Sequence, residues 1–165
     1  GVLMMILTGC LQLRTAYRDL RADVLLLIVG TIALGQAMQK TGATDLYARA
    51  FLQFFTGAEP SIVLGGFLLL TSFSTQILSN NATAILVLPI ALATAAGLGV
   101  DPKPFIIGVC FGASACFATP IGYQTNLLVY GPGGYRFSDF LKLGIPLNLL
   151  VLVMGVIFIP RIWPF

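Results

Sequence analysis

Two long stretches of this chain contain no charged residue. Between Ser61 and Leu98 there is no Asp, Glu, Lys or Arg, and there is none between Phe105 and Tyr135. Each stretch is apolar, and each is broken by a polar cluster. Residues 78–84 run Leu-Ser-Asn-Asn-Ala-Thr-Ala, and residues 119–126 run Thr-Pro-Ile-Gly-Tyr-Gln-Thr-Asn. In hydrocarbon every backbone N–H and C=O must find a partner inside the protein. Such breaks therefore belong either at the water surface or against a protein-enclosed cavity. The chain is 58% hydrophobic and 9% charged, with mean hydropathy +0.96. Soluble domains carry about 25% charged residues, so this is an integral membrane protein.

Composition also excludes several functions. The net charge of +3 is small and spread over connections, which gives no basis for nucleic-acid binding. Histidine is absent, which removes the usual general base and metal ligand. No base accompanies any Ser or Cys, so the sequence predicts no enzyme, no catalytic residue and no cofactor. Cys10, Cys110 and Cys116 are odd in number and lie in apolar segments, as small packing residues do. The first residue is Gly1, within an apolar run, and residues 1–13 are shorter than the roughly 20 needed to span a bilayer. The expectation is a chain that starts inside a transmembrane helix, with part of any site lying outside this sequence.

Taken in order, residues 1–11 read as the end of a first span. Arg14, Arg18 and Arg21, with Asp19 and Asp23, form a short polar connection that is cytoplasmic under the positive-inside rule. Residues 24–38 form the next span. Residues 44–56 carry Asp45, Arg49 and Gln53 four apart, opposite Leu46, Tyr47, Ala50, Phe51, Phe54 and Phe55, with a Thr44/Asp45 start signal. That is an amphipathic helix, lying either in the membrane interface or as a linker on the protein itself. Helical arms are predicted at 62–78 and 84–97, with the break at 79–83 between them. A third helix is predicted at 105–118, where Gly108, Gly112 and Cys116 allow close helix approach, either within one subunit or between subunits. Pro120 cannot continue that helix. Residues 127–130 resume it briefly, 131–136 form a loop, and 141–159 are the last span. On this layout five basic residues lie inside (Arg14, Arg18, Arg21, Arg136, Lys142) and four outside (Lys40, Arg49, Lys103, Arg161).

Paired polar discontinuities in apolar helices point to a transporter site near the bilayer midplane. A half-helix that starts inside the protein offers free N–H groups and the positive end of its dipole to an anion. Residues 82–86 would start one, capped by Ser79, Asn80 or Asn81. Unwound carbonyls suit a small cation, and Thr119, Gln124, Thr125 and Asn126 offer the second break for the same purposes. With no intramembrane carboxylate or His to carry a proton, neutral donors for the anion and a metal cation as counter-charge fit better. The alternative remains open at this point. Residues 61–78 would make about 27 Å of helix, close to the roughly 30 Å of a bilayer, so both breaks could be a surface turn and a plain kink.

The run Ser79-Asn80-Asn81-Ala82-Thr83, with Leu88-Pro89 after it, resembles the hairpin-tip motif of the divalent anion:sodium symporter family, within the wider ion-transporter superfamily. Ala118-Thr119-Pro120 through Thr125-Asn126 is similar to the unwound stretch of that family's next helix. The resemblance runs from about Val24 to the C-terminus and matches the second of the family's two inverted repeats. It implies an all-α integral membrane fold: one inverted repeat of a secondary transporter, with a re-entrant helical hairpin and a broken transmembrane helix. The implied parts are scaffold helices at 1–43, an interfacial helix at 44–57, the hairpin at 58–98, the broken helix and loop at 99–136 and a final helix at 137–165. Two departures matter. Position 81 is Asn where the dicarboxylate carriers have Thr, and 121–125 is longer than their link. Together with the glycine-rich 131–135 these look more like the family's sulfate-type permeases.

By this resemblance the function is secondary active transport of a divalent anion, sulfate-like or dicarboxylate, by Na⁺-coupled symport with an elevator-type movement. Substrate would contact Ser79, Asn80, Asn81, Thr119, Thr125 and Asn126. Na⁺ would contact Ser79, Asn80, Thr83, Thr119, Gln124 and Asn126. The implied partners are a small anionic substrate, Na⁺, the lipid bilayer, an N-terminal repeat of the same transporter and a second copy in a homodimer. The implied location is the cell (inner) membrane, crossed several times. Two rivals stand beside it. One is a cation/proton antiporter or arsenite-type exchanger of the same superfamily. The other is a non-transporting subunit that assembles through the Gly108/Gly112 face.

Overall fold

The computed structural model describes residues 2–10, 12, 22–55 and 57–165. The connection with Arg14, Arg18, Asp19 and Arg21 lies outside them. All regular structure among the described residues is helical. Residues 1–34 form one compact unit and residues 35–165 another. The first contains α1 (Val2–Leu7) and most of α2 (Ala22–Lys40). Leu26, Val29 and Ile32 on α2 are exposed, as expected of a helix with apolar residues all round.

The second unit holds α3 (Ala43–Gln53), α4 (Pro60–Ser74), α5 (Asn80–Leu98), α6 (Lys103–Ser114), α7 (Gln124–Tyr130) and α8 (Phe137–Ile162). Its centre is the packing of α4 on α6. On α4 the buried residues are Val63, Leu64, Phe67, Leu68, Thr71 and Ser72; on α6 they are Pro104, Phe105, Gly108, Val109, Gly112 and Ala113. Both sets step i, i+1, i+4, i+5, i+8, i+9, one continuous stripe along each helix. The stripes can meet because α6 lacks side chains where α4 is bulkiest. A Cβ on Gly108 would sit 2.5 Å from Leu64 Cδ1, and one on Gly112 would sit 2.9 Å from Thr71 Cβ. The small-residue stripe of α6 is thus an internal packing surface, buried against α4. α8 covers both helices, α5 packs on α6, and α3 packs on α5.

The amphipathic helix starts one residue earlier than the sequence suggests. Its N-cap is Gly42, at φ 73°, and no side chain caps it, so the Thr44/Asp45 start signal is not used. Thr44 and Ala48 are buried, and Phe51, Leu52 and Phe55 are half-buried beneath them. Phe51 and Phe55 pack on Gly66 of α4, and the Phe51 and Phe67 rings lie 4.2 Å apart. Leu46, Tyr47 and Phe54, which the sequence groups with the apolar face, are exposed. Of the cysteines only Cys116 is buried; Cys10 and Cys110 are exposed.

Among the described residues two helices are long and apolar enough to cross a membrane, α5 with 19 residues and α8 with 26. α4, with 15 residues, and α6, with 12, are apolar but shorter. At 1.5 Å per residue they reach only about 22 and 18 Å, less than the roughly 30 Å of a bilayer core. Each stops at one of the two polar breaks.

Candidate functional site

The first break occupies 75–79, four residues earlier than the 79–83 read from sequence. Asn80 and Asn81 are therefore the first residues of α5, and Thr83 lies within it. Ser79 is the cap: its Oγ accepts from Ala82 N at 3.2 Å and its carbonyl from Thr83 N at 2.9 Å. A Ser at this position favours helix initiation, and it leaves the Asn80 and Asn81 amides at the positive end of the α5 dipole. The rest of the turn is closed locally, by Thr75 N to Thr71 O, Gln76 N to Phe73 O and Ile77 N to Ser74 O.

The second break occupies 115–123, and α7 begins at Gln124, so Gln124, Thr125 and Asn126 form a helical first turn rather than a continued unwound stretch. Few of the backbone bonds of 115–119 are local. Ala113 O, at the end of α6, accepts from Thr75 Oγ1 at 2.9 Å, and Ala115 O accepts from Ser72 Oγ at 3.1 Å and from Gln76 Nε2 at 2.8 Å. Ala118 N donates to Gln76 Oε1 at 3.1 Å, and Phe117 N donates to Asn148 Oδ1 on α8 at 3.4 Å. Cys116 O is the carbonyl whose helical donor would have been the N–H that Pro120 lacks. Asn126 Nδ2 serves it at 2.9 Å and also donates to Thr119 O at 3.2 Å.

The two breaks are bonded to each other. Thr119 Oγ1 donates to Gln76 O at 2.9 Å and accepts from Gly122 N at 3.1 Å. A Cβ on Gly122 would come within 3.2 Å of Thr75 O, so the second break passes directly over the first. α8 presses on it from the other side, where a Cβ on Gly144 would lie 2.2 Å from Phe117 O. Thr75 Oγ1 also lies 2.8 Å from Asn80 Oδ1. A hydroxyl has one proton. With that proton on Ala113 O, the contact is favourable when Asn80 turns its NH₂ to Thr75 and its oxygen away.

The residues singled out from sequence divide into three groups. Asn80, Thr119 and Asn126 are half-buried and joined to this network. Ser79, Asn81, Gln124 and Thr125 are exposed, and of these Ser79 also caps α5. Thr83 is fully buried, and its Oγ1 has no hydrogen-bond partner. An uncompensated buried hydroxyl is costly, and a cation could use it. The sequence list omitted Ser72, Thr75, Gln76 and Asn148. The first three belong to the hydroxyl- and amide-rich run 71–76, whose composition was a usable signal. Asn148, alone in an apolar span, was another. A cavity of about 490 Å³ opens beside the breaks, walled by apolar α4 and α8 side chains with Ser72, Gln76, Thr119 and Asn148 at its polar side. No group of three metal-ligating residues occurs among the described residues.

A family model for citrate transporters matches residues 1–163. An uncharacterized transporter of Synechocystis is 45% identical over 151 residues, 92% of this chain and 25% of that protein. Sodium/sulfate cotransporter 1 of Chlamydomonas reinhardtii is 32% identical over 160 residues, 96% of this chain and 18% of that protein. The sodium-dependent dicarboxylate transporter SdcS of Staphylococcus saprophyticus is 27% identical over 140 residues, 85% of this chain and 27% of that protein. The chain spans between 17% and 28% of the length of the curated relatives named above and their kin.

Proposed function

Because the chain belongs to the citrate transporter family, whose relatives above are transporters and not enzymes, we propose that it forms half of the binding site of a secondary carrier for a small divalent anion. The observation that carries this reading is the pair of bonded polar breaks, each at the end of an apolar helix too short to cross a bilayer. The anion sits at the start of α5, held by the Asn80 and Asn81 amides and by uncharged side chains of both breaks: Ser79, Asn80, Asn81, Thr119, Thr125 and Asn126. Na⁺ supplies the counter-charge and is taken by oxygens of Ser79, Asn80, Thr83, Thr119, Gln124 and Asn126. Transport is Na⁺-coupled symport. The second half of the site comes from an N-terminal repeat, and the carrier works as a homodimer in the cell (inner) membrane by an elevator-type movement. Names among the relatives include both sodium/sulfate and dicarboxylate carriers. Asn81 and the longer second break favour a sulfate-like oxyanion.

The test is uptake of labelled sulfate and of succinate into liposomes containing the full-length carrier, with and without an inward Na⁺ gradient. Gradient-dependent uptake of one anion is expected, and its abolition by Asn80→Ala in folded protein. Uptake indifferent to Na⁺ removes the symport, and normal uptake by the Asn80 variant removes the site.

A further inference from the structure

Gln76 is a buried amide, 8% exposed, at the end of the hydroxyl- and amide-rich run 71–76. Its Nε2 donates to Ser72 O and to Ala115 O at 2.8 Å each, and its Oε1 accepts from Ala118 N at 3.1 Å. If α6 continued through 115–119, Ala115 O would accept from Thr119 N and Ala118 N would donate to Ser114 O. One carboxamide replaces both of those partners. A carboxamide offers a donor and an acceptor on one planar group that stays uncharged at every pH. Its own carbonyl accepts from Thr119 Oγ1, which adds a further tie between the breaks.

We propose that Gln76 is a positioning residue of the transport site: its side chain keeps residues 115–119 unwound and clamped to the first break, so that the polar groups of both breaks move as one body. The clamp needs donor and acceptor together. A group that only accepts would leave Ala115 O to Ser72 Oγ alone, and an apolar one would release Ala118 N as well. The role in transport rests on the anion-carrier reading; the clamp itself does not. The side chains lining the adjoining cavity are uncharged. The titratable residues of the elements around it are Lys103 and Cys110 on α6, Cys116 and Tyr123 in the break and Asp139, Lys142 and Arg161 on α8; none lines the cavity.

The experiment uses Cys116, which is 4% exposed within the second break. In a full-length carrier whose other cysteines are replaced by serine, maleimide labelling of Cys116 and anion uptake are followed across pH for wild type, Gln76→Leu and Gln76→Glu. Rates are taken relative to wild type at each pH, which cancels the pH dependence of the maleimide reaction itself. Gln76→Leu is expected to label about tenfold faster at every pH, because the buried Ala118 N–H loses its partner and Ala115 O keeps only Ser72 Oγ. In Gln76→Glu the neutral carboxyl keeps one donor and one acceptor, whereas the carboxylate only accepts. Labelling should therefore stay near wild type in acid and rise with pH, and uptake should fall in step. Should Gln76→Leu fail to fold, the pH step of Gln76→Glu decides alone. Labelling by folded Gln76→Glu that follows wild type at every pH, or is raised equally at every pH, overturns the clamp. A pH step in labelling, in a carrier whose wild type moves neither sulfate nor succinate, upholds the clamp and removes the anion reading.

Discussion

The two breaks solve the same problem in opposite ways. Both interrupt an apolar helix where backbone groups cannot be left to lipid. At 75–79 the chain looks after itself: the turn amides bond to carbonyls three or four residues back, and Ser79 starts the next helix with its own side chain. At 115–123 the chain depends on distant residues. Its carbonyls and amides are served by Ser72 and Gln76 from 39 to 43 residues upstream, by Asn126 ten residues downstream and by Asn148 on the last helix. A self-closed break can form as soon as its local segment does. A break closed from outside forms only once three helices are in place, and any of the three can disturb it.

That contrast predicts a ranking of substitutions, read as thermal unfolding of the carrier in detergent. The largest effect is expected from Gly144→Val, on a residue that touches neither break by hydrogen bond. A Cβ there would overlap the Phe117 carbonyl at 2.2 Å, so α8 must move away, at about 3 kcal/mol or more. A variant as stable as wild type would mean that α8 does not press on the second break. Asn126→Leu comes next. It strips the donor from Cys116 O, which Pro120 has already denied a helical partner, and about 1–3 kcal/mol is expected for a buried carbonyl left unsatisfied. Restoring stability by also replacing Pro120 with Ala would sharpen the case, since the new N–H could serve that carbonyl.

Ser79→Ala removes the cap of α5, worth about 1 kcal/mol. Because the first break has its other local bonds, this variant should fold and keep the second break closed, with Cys116 as unreactive as in wild type. Exposure of Cys116 there would break the distinction between the two regions. Asn148→Leu should cost least, about 0.5–1 kcal/mol, since its bond to Phe117 N is long at 3.4 Å and the replacement gains apolar contact with the cavity.

The all-helical membrane class, the helices at 24–38 and 141–159 and the existence of both breaks were legible in the sequence, because hydropathy and the absence of charge are properties of the chain itself. The edges were less so. The cluster Ser79-Asn80-Asn81 looks like the break, yet only Ser79 belongs to it. Asn80 and Asn81 are tolerated in the first helical turn, where N–H groups have no intrahelical partner in any case. Thr75 and Gln76 end α4 early, and they can do so because Ala113 O and Asn80 lie within reach of Thr75, and Ala115 and Ala118 within reach of Gln76. No local pattern carries that information.

By itself the sequence determined that this chain lives in a membrane, that its helices are interrupted twice, and that the interruptions are uncharged and rich in donors and acceptors. Those follow from the solvation of each residue type, which is local. Which residues are available to a ligand and which hold the backbone was decided by tertiary structure alone. A carbonyl orphaned by Pro120 or by the end of α6 takes whatever donor the neighbouring helices bring to it. Asn126 and Gln76 were assigned to that task by packing, through the glycines at 108, 112, 122 and 144 that let the backbones approach closely enough to bond.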